Sequence, residues 1–267
     1  MILFPPAKVN LGLRILSKRP DGFHEIETVM AEIPFCDILE LSEAPQDSFE
    51  QTGLTFAPDS KLNLCEQAVA LLRKHSNFPG VQIHLRKQIP VGAGLGGGSA
   101  DASYTLIGLN RLFNLGFSDQ KLEEFAAQLG SDCAFFIRGG LQLATGRGEC
   151  LSPIADLGFQ KWLVLCNPGI HVSTAAAYAN IQPNNSGPSL REILQNEGIS
   201  GLKNDFELSV FQQFPAIQAL KNDLEQAGAN YTAMSGSGSS VFALYDHEPN
   251  LCEDLSQMIV FKGLWKF

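Results

Sequence analysis

Pro90-Val91-Gly92-Ala93-Gly94-Leu95-Gly96-Gly97-Gly98-Ser99-Ala100-Asp101-Ala102-Ser103 places glycine at 92, 94, 96, 97 and 98. A backbone this bare takes positive φ freely, and its N–H groups can close on an anion with no side chain in the way. Ser99 is an N-cap candidate, and from Ala100 onward Ala102, Leu106, Leu109, Leu112 and Phe113 recur at helical spacing. The unpaired N–H groups and positive dipole end of that helix then flank the glycines, so an oligophosphate is the expected guest.

Two familiar phosphate-binding patterns overlap this stretch in part. Gly92, Gly94 and Gly97 satisfy G-x-G-x-x-G, with Asp119 at the distance a ribose-binding acid needs. A dinucleotide turn should leave a strand directly, whereas Gln88-Ile89-Pro90-Val91 intervenes after the strand expected over 81–87, and Asp119 falls at a helix start. The Walker pattern fails because Gly98, and not lysine, follows Gly97. ATP held here is held without a P-loop lysine.

Proline, three residues and Gly-Leu-Gly followed by small residues resembles the phosphate loop of the galactokinase, homoserine kinase, mevalonate kinase and phosphomevalonate kinase superfamily. The form Gly94-Leu95-Gly96-Gly97-Gly98-Ser99-Ala100 departs from that group's commoner Gly-Leu-Gly-Ser-Ser-Ala and is similar to the 4-diphosphocytidyl-2-C-methyl-D-erythritol kinases. The family's N-terminal signature is matched by Pro6-Ala7-Lys8-Val9-Asn10-Leu11 and Arg19-Pro20-Asp21-Gly22-Phe23-His24-Glu25. Gly130-Ser131-Asp132-Cys133-Ala134-Phe135-Phe136 resembles its catalytic-aspartate segment, Leu202-Lys203-Asn204-Asp205 its Asn-Asp segment, and 233–241 the superfamily's third motif.

The residues themselves permit both bland and functional readings. Val9, Leu11, Leu13 and Ile15 alternate on one strand face, which lines up Lys8, Asn10 and Gly12 on the other; a lone lysine there is ordinarily exposed. His24 follows the turn Pro20-Asp21-Gly22 and reads equally as a hydrogen-bonded structural histidine. Asn63 is a good N-cap for a helix running towards Lys74, Asp132 a possible N-cap, and Tyr178 an ordinary helix-face aromatic. Residues 29–33 and 37–41 read as strands joined by a link containing Pro34, followed by polar, turn-rich sequence to Ser60; a further helix starts at Ser118, and 258–265 reads as an edge strand.

The resemblance gives each a sharper role. It implies Lys8 beside the reacting hydroxyl and Asp132 as the catalytic aspartate. A free carboxylate, with an ordinary pKa of ~3.9, is a feeble base, so it orients the hydroxyl and takes its proton late, with the lysine keeping it ionised. Asn10 positions the substrate, His24 reads the cytosine edge, and Phe23 and Tyr178 sandwich the ring. Phe23 stands where the family commonly has tyrosine, so it keeps the π-face and loses the hydroxyl. ATP is expected on Pro90 through Ala100, that is Pro90, Val91, Gly92, Ala93, Gly94, Leu95, Gly96, Gly97, Gly98, Ser99 and Ala100, with Asn63 on the adenosine side. Mg²⁺ is expected with the nucleotide; its protein ligands stay open, Asp101 being a candidate by position alone.

The implied fold is α+β with two domains. Residues 1–155 form an ATP-binding domain like the ribosomal S5 second domain, and 156–267 a ferredoxin-like domain contributing to substrate binding, with the active site in the cleft between them. The implied reaction is ATP-dependent phosphorylation of the 2-hydroxyl of the cytidine substrate in non-mevalonate isoprenoid synthesis. The alternatives are a superfamily kinase acting on another small alcohol and a nicotinamide-dependent oxidoreductase.

Composition agrees with a small-molecule enzyme. The 267 residues carry a net charge of −9 with 45% apolar residues, so neither nucleic acid nor an anionic membrane is an expected partner. Cys36, Cys65, Cys133, Cys150, Cys166 and Cys252 show no metal-ligand spacing and read mostly as reduced core residues. The start, Met1-Ile2-Leu3-Phe4-Pro5-Pro6, lacks the basic and long apolar regions of a signal peptide, so a cytoplasmic enzyme is expected.

Overall fold

The computed structural model describes residues 1–54, 63–155, 157–179 and 181–266. The chain begins with strands β1 (Ile2–Leu3), β2 (Pro6–Lys18), β3 (His24–Cys36), β4 (Ile38–Ala44) and β5 (Ser48–Gly53), followed by helix α1 (Leu64–Arg73) and strand β6 (Gly80–Lys87). Helices α2 (Gly97–Leu112), α3 (Asp119–Leu129) and α4 (Phe135–Arg138) come next, then β7 (Leu141–Gly146), β8 (Cys150–Pro153) and β9 (Gln160–Cys166). The remainder is α5 (Thr174–Tyr178), α6 (Leu190–Glu197), α7 (Phe206–Gln213), α8 (Pro215–Gln226), β10 (Tyr231–Met234), β11 (Val241–Tyr245), α9 (Glu253–Met258) and β12 (Ile259–Lys266).

Two compact units are interleaved along the sequence. One comprises Met1–Ala7, Phe35–Val91 and Gly96–Gly139; the other comprises Lys8–Pro34, Gly92–Leu95 and Gly140–Phe267.

The first unit is built on the sheet β1-β4-β6-β5. Alternation in β6 buries Val81, Ile83 and Leu85 on one face. That face joins Leu39 and Leu41 of β4, the α1 stripe Ala68, Leu71 and Leu72, and Leu106 and Leu109 of α2 in one core. Helix α1 starts at a capping box in which Asn63 accepts from Cys65 N–H while Glu66 reaches back to Asn63 N–H. In α2, Gly108 allows close packing: a Cβ there would meet Leu41 Cδ1 at 2.3 Å.

The second unit holds two antiparallel sheets, β2-β3-β7-β8 and β10-β11-β9-β12. The run Leu163–Cys166 is fully buried because β9 is central in its sheet, with β11 on one side and β12 on the other. Ile217, Leu220 and Leu224 of α8, Phe206 and Val210 of α7, and Ala177 of α5 complete that core.

The structure departs from the sequence reading at three places. Pro34 does not link two strands but lies inside β3, at an exposed position beyond the last β3–β7 pair, Ala31 with Leu141, where no donor is required. The polar stretch after Leu41 contains β5, paired in parallel with β6; the rest of that expected loop, residues 55–60, lies outside the described residues. Helix α2 begins at Gly97, with Gly96 and not Ser99 as its N-cap. Gly96 has φ +70°, a left-handed cap that glycine adopts without strain. The expected edge strand at the C-terminus is β12. Among the described residues no disulfide forms; Cys65, Cys133 and Cys166 are buried, while Cys150 and Cys252 are exposed. No helix of the described residues is long and apolar enough to cross a membrane.

Candidate active site

In the second unit the N-terminal strand and the glycine loop are bonded to each other. Alternation along β2 places Lys8 and Asn10 on one face, and both are buried, at 3% and 2% exposure, contrary to the ordinary expectation for lysine. Lys8 Nζ donates to Asn10 Oδ1 at 2.6 Å and to the Gly94 carbonyl at 3.1 Å. Asn10 Nδ2 donates to Thr28 Oγ1 at 2.8 Å, and Thr28 in turn donates to the Gly12 carbonyl. These bonds fix the Asn10 amide orientation and hold the Lys8 ammonium beside the loop.

The loop is gripped through its carbonyls. Ser240 N–H donates to Ala93 O at 3.3 Å, Ser235 Oγ to Gly94 O at 2.8 Å, and Lys8 N–H to Leu95 O at 2.9 Å. Among the described residues, none of the main-chain N–H groups of Gly92, Ala93, Gly94 and Leu95 donates to a protein acceptor. Carbonyls engaged on three successive residues and amides left open are the arrangement of an anion-binding nest. The segment that supplies Ser235 and Ser240 is itself held by Asn204, whose Nδ2 donates to Met234 O and Gly236 O at 2.7 and 2.8 Å. The Asn-Asp pair thus has a physical role: Asn204 shapes the third motif, and Asp205 Oδ2 accepts from Ile15 N–H.

In the first unit the start of α2 offers the same chemistry. The N–H groups of Gly97, Gly98 and Ser99 have no acceptor among the described residues, and the helix dipole favours an anion there. A Cβ on Gly97 would stand 2.8 Å from Ile89 Cγ2 and 3.2 Å from Lys87 Nζ, so that position has no room for a side chain.

Below this first turn lies a buried charge cluster that the sequence reading did not find. Lys87 Nζ bonds to Asp37 Oδ2 and, at 2.7 Å, to Asp101 Oδ2. Asp37 Oδ1 also accepts from the N–H groups of Gln88 and Ile89, at 2.5 and 2.9 Å. Asp101 Oδ1 is buried without a partner. Burial, with the Asp37 carboxylate adding to it, pushes the Asp101 carboxyl up to about 7 despite the nearby ammonium. Burial opposes the charge on Lys87, but the two carboxylates outweigh it and raise its pKa. A signal was present: Lys87 continues the buried register of Val81, Ile83 and Leu85, and an inward lysine requires an acid.

Asp132 lies in the turn before α4. That helix starts after Ala134, so Asp132 is not its N-cap. Ser103 Oγ donates to Cys133 O at 2.7 Å and to Ser99 O at 2.9 Å, tying the Asp132 turn to the second turn of α2. Asn63 spends its side-chain oxygen on the α1 cap.

The expected base-binding residues belong to the second unit. Asp21 Oδ1 accepts from Phe23 N–H and Arg19 N–H donates to Phe23 O, closing the turn that presents Phe23 and His24. His24 stacks on Tyr178, with ring centroids 4.4 Å apart and planes 14° from parallel; Phe206 meets Tyr178 edge-on at 4.7 Å. Phe23 is 54% exposed and lies under the Arg147 guanidinium at 4.9 Å. Burial, reinforced by Lys18, lowers the His24 pKa, so its imidazole is neutral at neutral pH, with one nitrogen donating and the other accepting.

Known proteins share this organisation. Residues 63–140 match the GHMP kinases N terminal domain and residues 178–258 the GHMP kinases C terminal model. Together with the glycine loop and its open amides, these matches define a two-domain α+β GHMP kinase. The 4-diphosphocytidyl-2-C-methyl-D-erythritol kinase of Bacteroides fragilis is 48% identical over 259 residues, covering 94% of each chain. That of Cytophaga hutchinsonii is 44% identical, covering 93% of this chain and 94% of the relative. A crystal structure of 4-(cytidine 5'-diphospho)-2C-methyl-D-erythritol kinase superposes with a TM-score of 0.81 at 33% identity, over 93% of this chain and 91% of its own. Homoserine kinase from Cytophaga hutchinsonii, at 19% identity and a TM-score of 0.67, shares the fold. The chain belongs to the 4-diphosphocytidyl-2-C-methyl-D-erythritol kinase family.

Proposed function

We propose that this chain transfers the γ-phosphoryl group of ATP to the 2-hydroxyl of 4-diphosphocytidyl-2-C-methyl-D-erythritol, releasing ADP, in non-mevalonate isoprenoid synthesis. The observation that carries the reading is the loop Gly92–Leu95, whose carbonyls are held by Ser240, Ser235 and Lys8 while its amides stay open. An oligophosphate fits such a loop because the N–H groups are already oriented, so little reorganisation opposes binding. Family membership supplies the acceptor.

Phosphoryl transfer needs positioning and charge neutralisation more than covalent chemistry. Pro90–Ala100 hold the phosphates, and Asn63 faces the adenosine through its position at the α1 cap. Asn10 orients the acceptor, and Lys8, fixed by Asn10 and Gly94, neutralises charge on the transferred group. As the hydroxyl oxygen bonds to phosphorus and the bond to the bridging oxygen of ADP breaks, Asp132 takes the hydroxyl proton. His24 reads the cytosine edge with its neutral imidazole, and Phe23 and Tyr178 supply aromatic faces for the ring.

Mg²⁺ bound with the nucleotide would neutralise charge on its phosphates. Asp101 does not fit as its ligand, because that carboxyl is buried and bonded to Lys87. Residues 1–155 act as the ATP-binding part and 156–267 as a contributor to substrate binding. The enzyme works in the cytoplasm on a small molecule, without nucleic acid or membrane.

The test is ADP release in a coupled assay with the cytidine substrate, mevalonate or homoserine as acceptor, each with and without Mg²⁺. Turnover is expected with the cytidine substrate alone and only with the metal. Turnover of another alcohol instead would transfer the chain to a neighbouring specificity.

A further inference from the structure

Outside the residues assigned so far, His171 stands apart in the second unit. A Cβ placed on Gly92 would lie 3.4 Å from both Nδ1 and Cε1 of the His171 ring, so the imidazole covers the first residue of the open loop. The ring is exposed, and among the described residues neither of its nitrogens forms a hydrogen bond. Gly92 itself has φ +65° and an unbonded N–H.

This placement is built into the connection after β9. Asn167 N–H donates to Met258 O, its Oδ1 accepts from Gly169 N–H at 2.7 Å, and its Nδ2 donates to Ser240 Oγ at 3.2 Å. Ser240 N–H is also the donor to Ala93 O, so one serine ties the connection to the loop. Ile170 packs against the core and Val172 is buried at 3% exposure. With its neighbours anchored inward on both sides, His171 is left facing the loop.

We propose that His171 is a phosphate-binding residue whose protonated imidazole pairs with a phosphoanhydride group of a nucleotide seated on Gly92–Leu95. This rests on the reading of that loop as a phosphate site. Among the described residues, Lys8 Nζ, bonded to Gly94 O, is a cation on the same loop. Protonating His171 therefore adds a second positive charge, and affinity rises as pH falls. The phosphate comes from ATP or from the acceptor's diphosphate, and separate titrations distinguish the two.

The experiment is calorimetric titration of the intact protein with ADP and, separately, with CDP, at about pH 8 and about pH 5.5, the two sides of an imidazole's titration. Wild type, His171→Gln and His171→Lys are compared. For one of the ligands, the wild type should gain on the order of fivefold in affinity at the lower pH relative to His171→Gln, the size of a partly exposed ion pair. His171→Lys should keep the tighter binding at both pH values. Comparing variants at each pH cancels the titration of the ligand's own phosphate. If both ligands bind and the wild type and His171→Gln show the same pH dependence, the assignment of His171 is overturned while the loop stands. If neither ligand binds the wild type, the loop reading fails and takes this one with it.

Discussion

A Cβ on Gly94 would stand 2.0 Å from the carbonyl oxygen of Ser235, closer than any two such atoms approach. The third small-residue motif therefore rests directly on the backbone of the glycine loop, and Gly94, at φ +79°, is fixed both by the contact and by its own conformation.

Gly94→Ala should displace the loop from Ser235. The left-handed backbone alone costs a non-glycine residue about 1–2 kcal/mol, and the carbonyl contact adds to it. Thermal denaturation should show a lowered Tm, and KM for ATP should rise by at least about tenfold, since the amides no longer converge. Retention of both would mean that the Gly94–Ser235 contact does not shape the nucleotide site.

The Asp37–Lys87–Asp101 cluster makes stability depend on pH. Burial raises the folded-state pKa of Asp101 above the ordinary carboxylate value of 3.8, to about 7. Between those values the folded protein holds a proton that the unfolded chain has released, so the contribution is full below pH 3.8 and is lost as pH rises through about 7. Asp101→Asn mimics the protonated form. Its Tm should be close to wild type at about pH 5 and should gain on wild type at about pH 8, because only the wild type buries an extra negative charge there. A constant difference across that range would show that Asp101 is ionised throughout.

Much of this was legible in the sequence, for local reasons. Alternation around Val9 and Leu11 correctly paired Lys8 with Asn10, the Asn63 cap marked the start of α1, and the helix expected from Ser118 is α3, where the structure makes Ser118 the cap. The onset of α2 was misread because a serine is a better intrinsic cap than a glycine, whereas here the left-handed Gly96 sets the turn. Strand β5 was missed because its sequence is polar and its pairing with β6 is a tertiary matter. Asp37 reaches Lys87 across fifty positions and Ser240 reaches Ala93 across a hundred and more, so neither contact leaves a local pattern. The family resemblance singled out Asp132; the structure adds that it does not cap α4.

Asp132→Asn tests the chemical step. The amide keeps the size and much of the hydrogen bonding of the carboxylate but takes no proton. Loss of a general base lowers kcat by roughly 10²- to 10⁴-fold, while KM for ATP should stay within about twofold if the residue acts in the transition state. Circular dichroism and Tm establish that the variant is folded. An unchanged kcat in the folded variant would remove Asp132 from the mechanism.

Tyr178 carries the most specific expectation about substrate choice. Its ring is stacked on His24 at 4.4 Å and packed edge-on by Phe206, so it is held rigidly with one face covered by the imidazole, and the base must take the other face or displace His24. Stacking on a nucleobase contributes about 1–3 kcal/mol by alanine substitution. Tyr178→Ala should therefore raise KM for the cytidine substrate by about five- to a hundredfold, with kcat and KM for ATP nearly unchanged. Tyr178→Phe keeps the ring and should restore substrate KM to within about twofold, which separates stacking from any role of the hydroxyl. If alanine leaves the cytidine KM unchanged, or if phenylalanine fails as badly as alanine, the base does not stack on this ring.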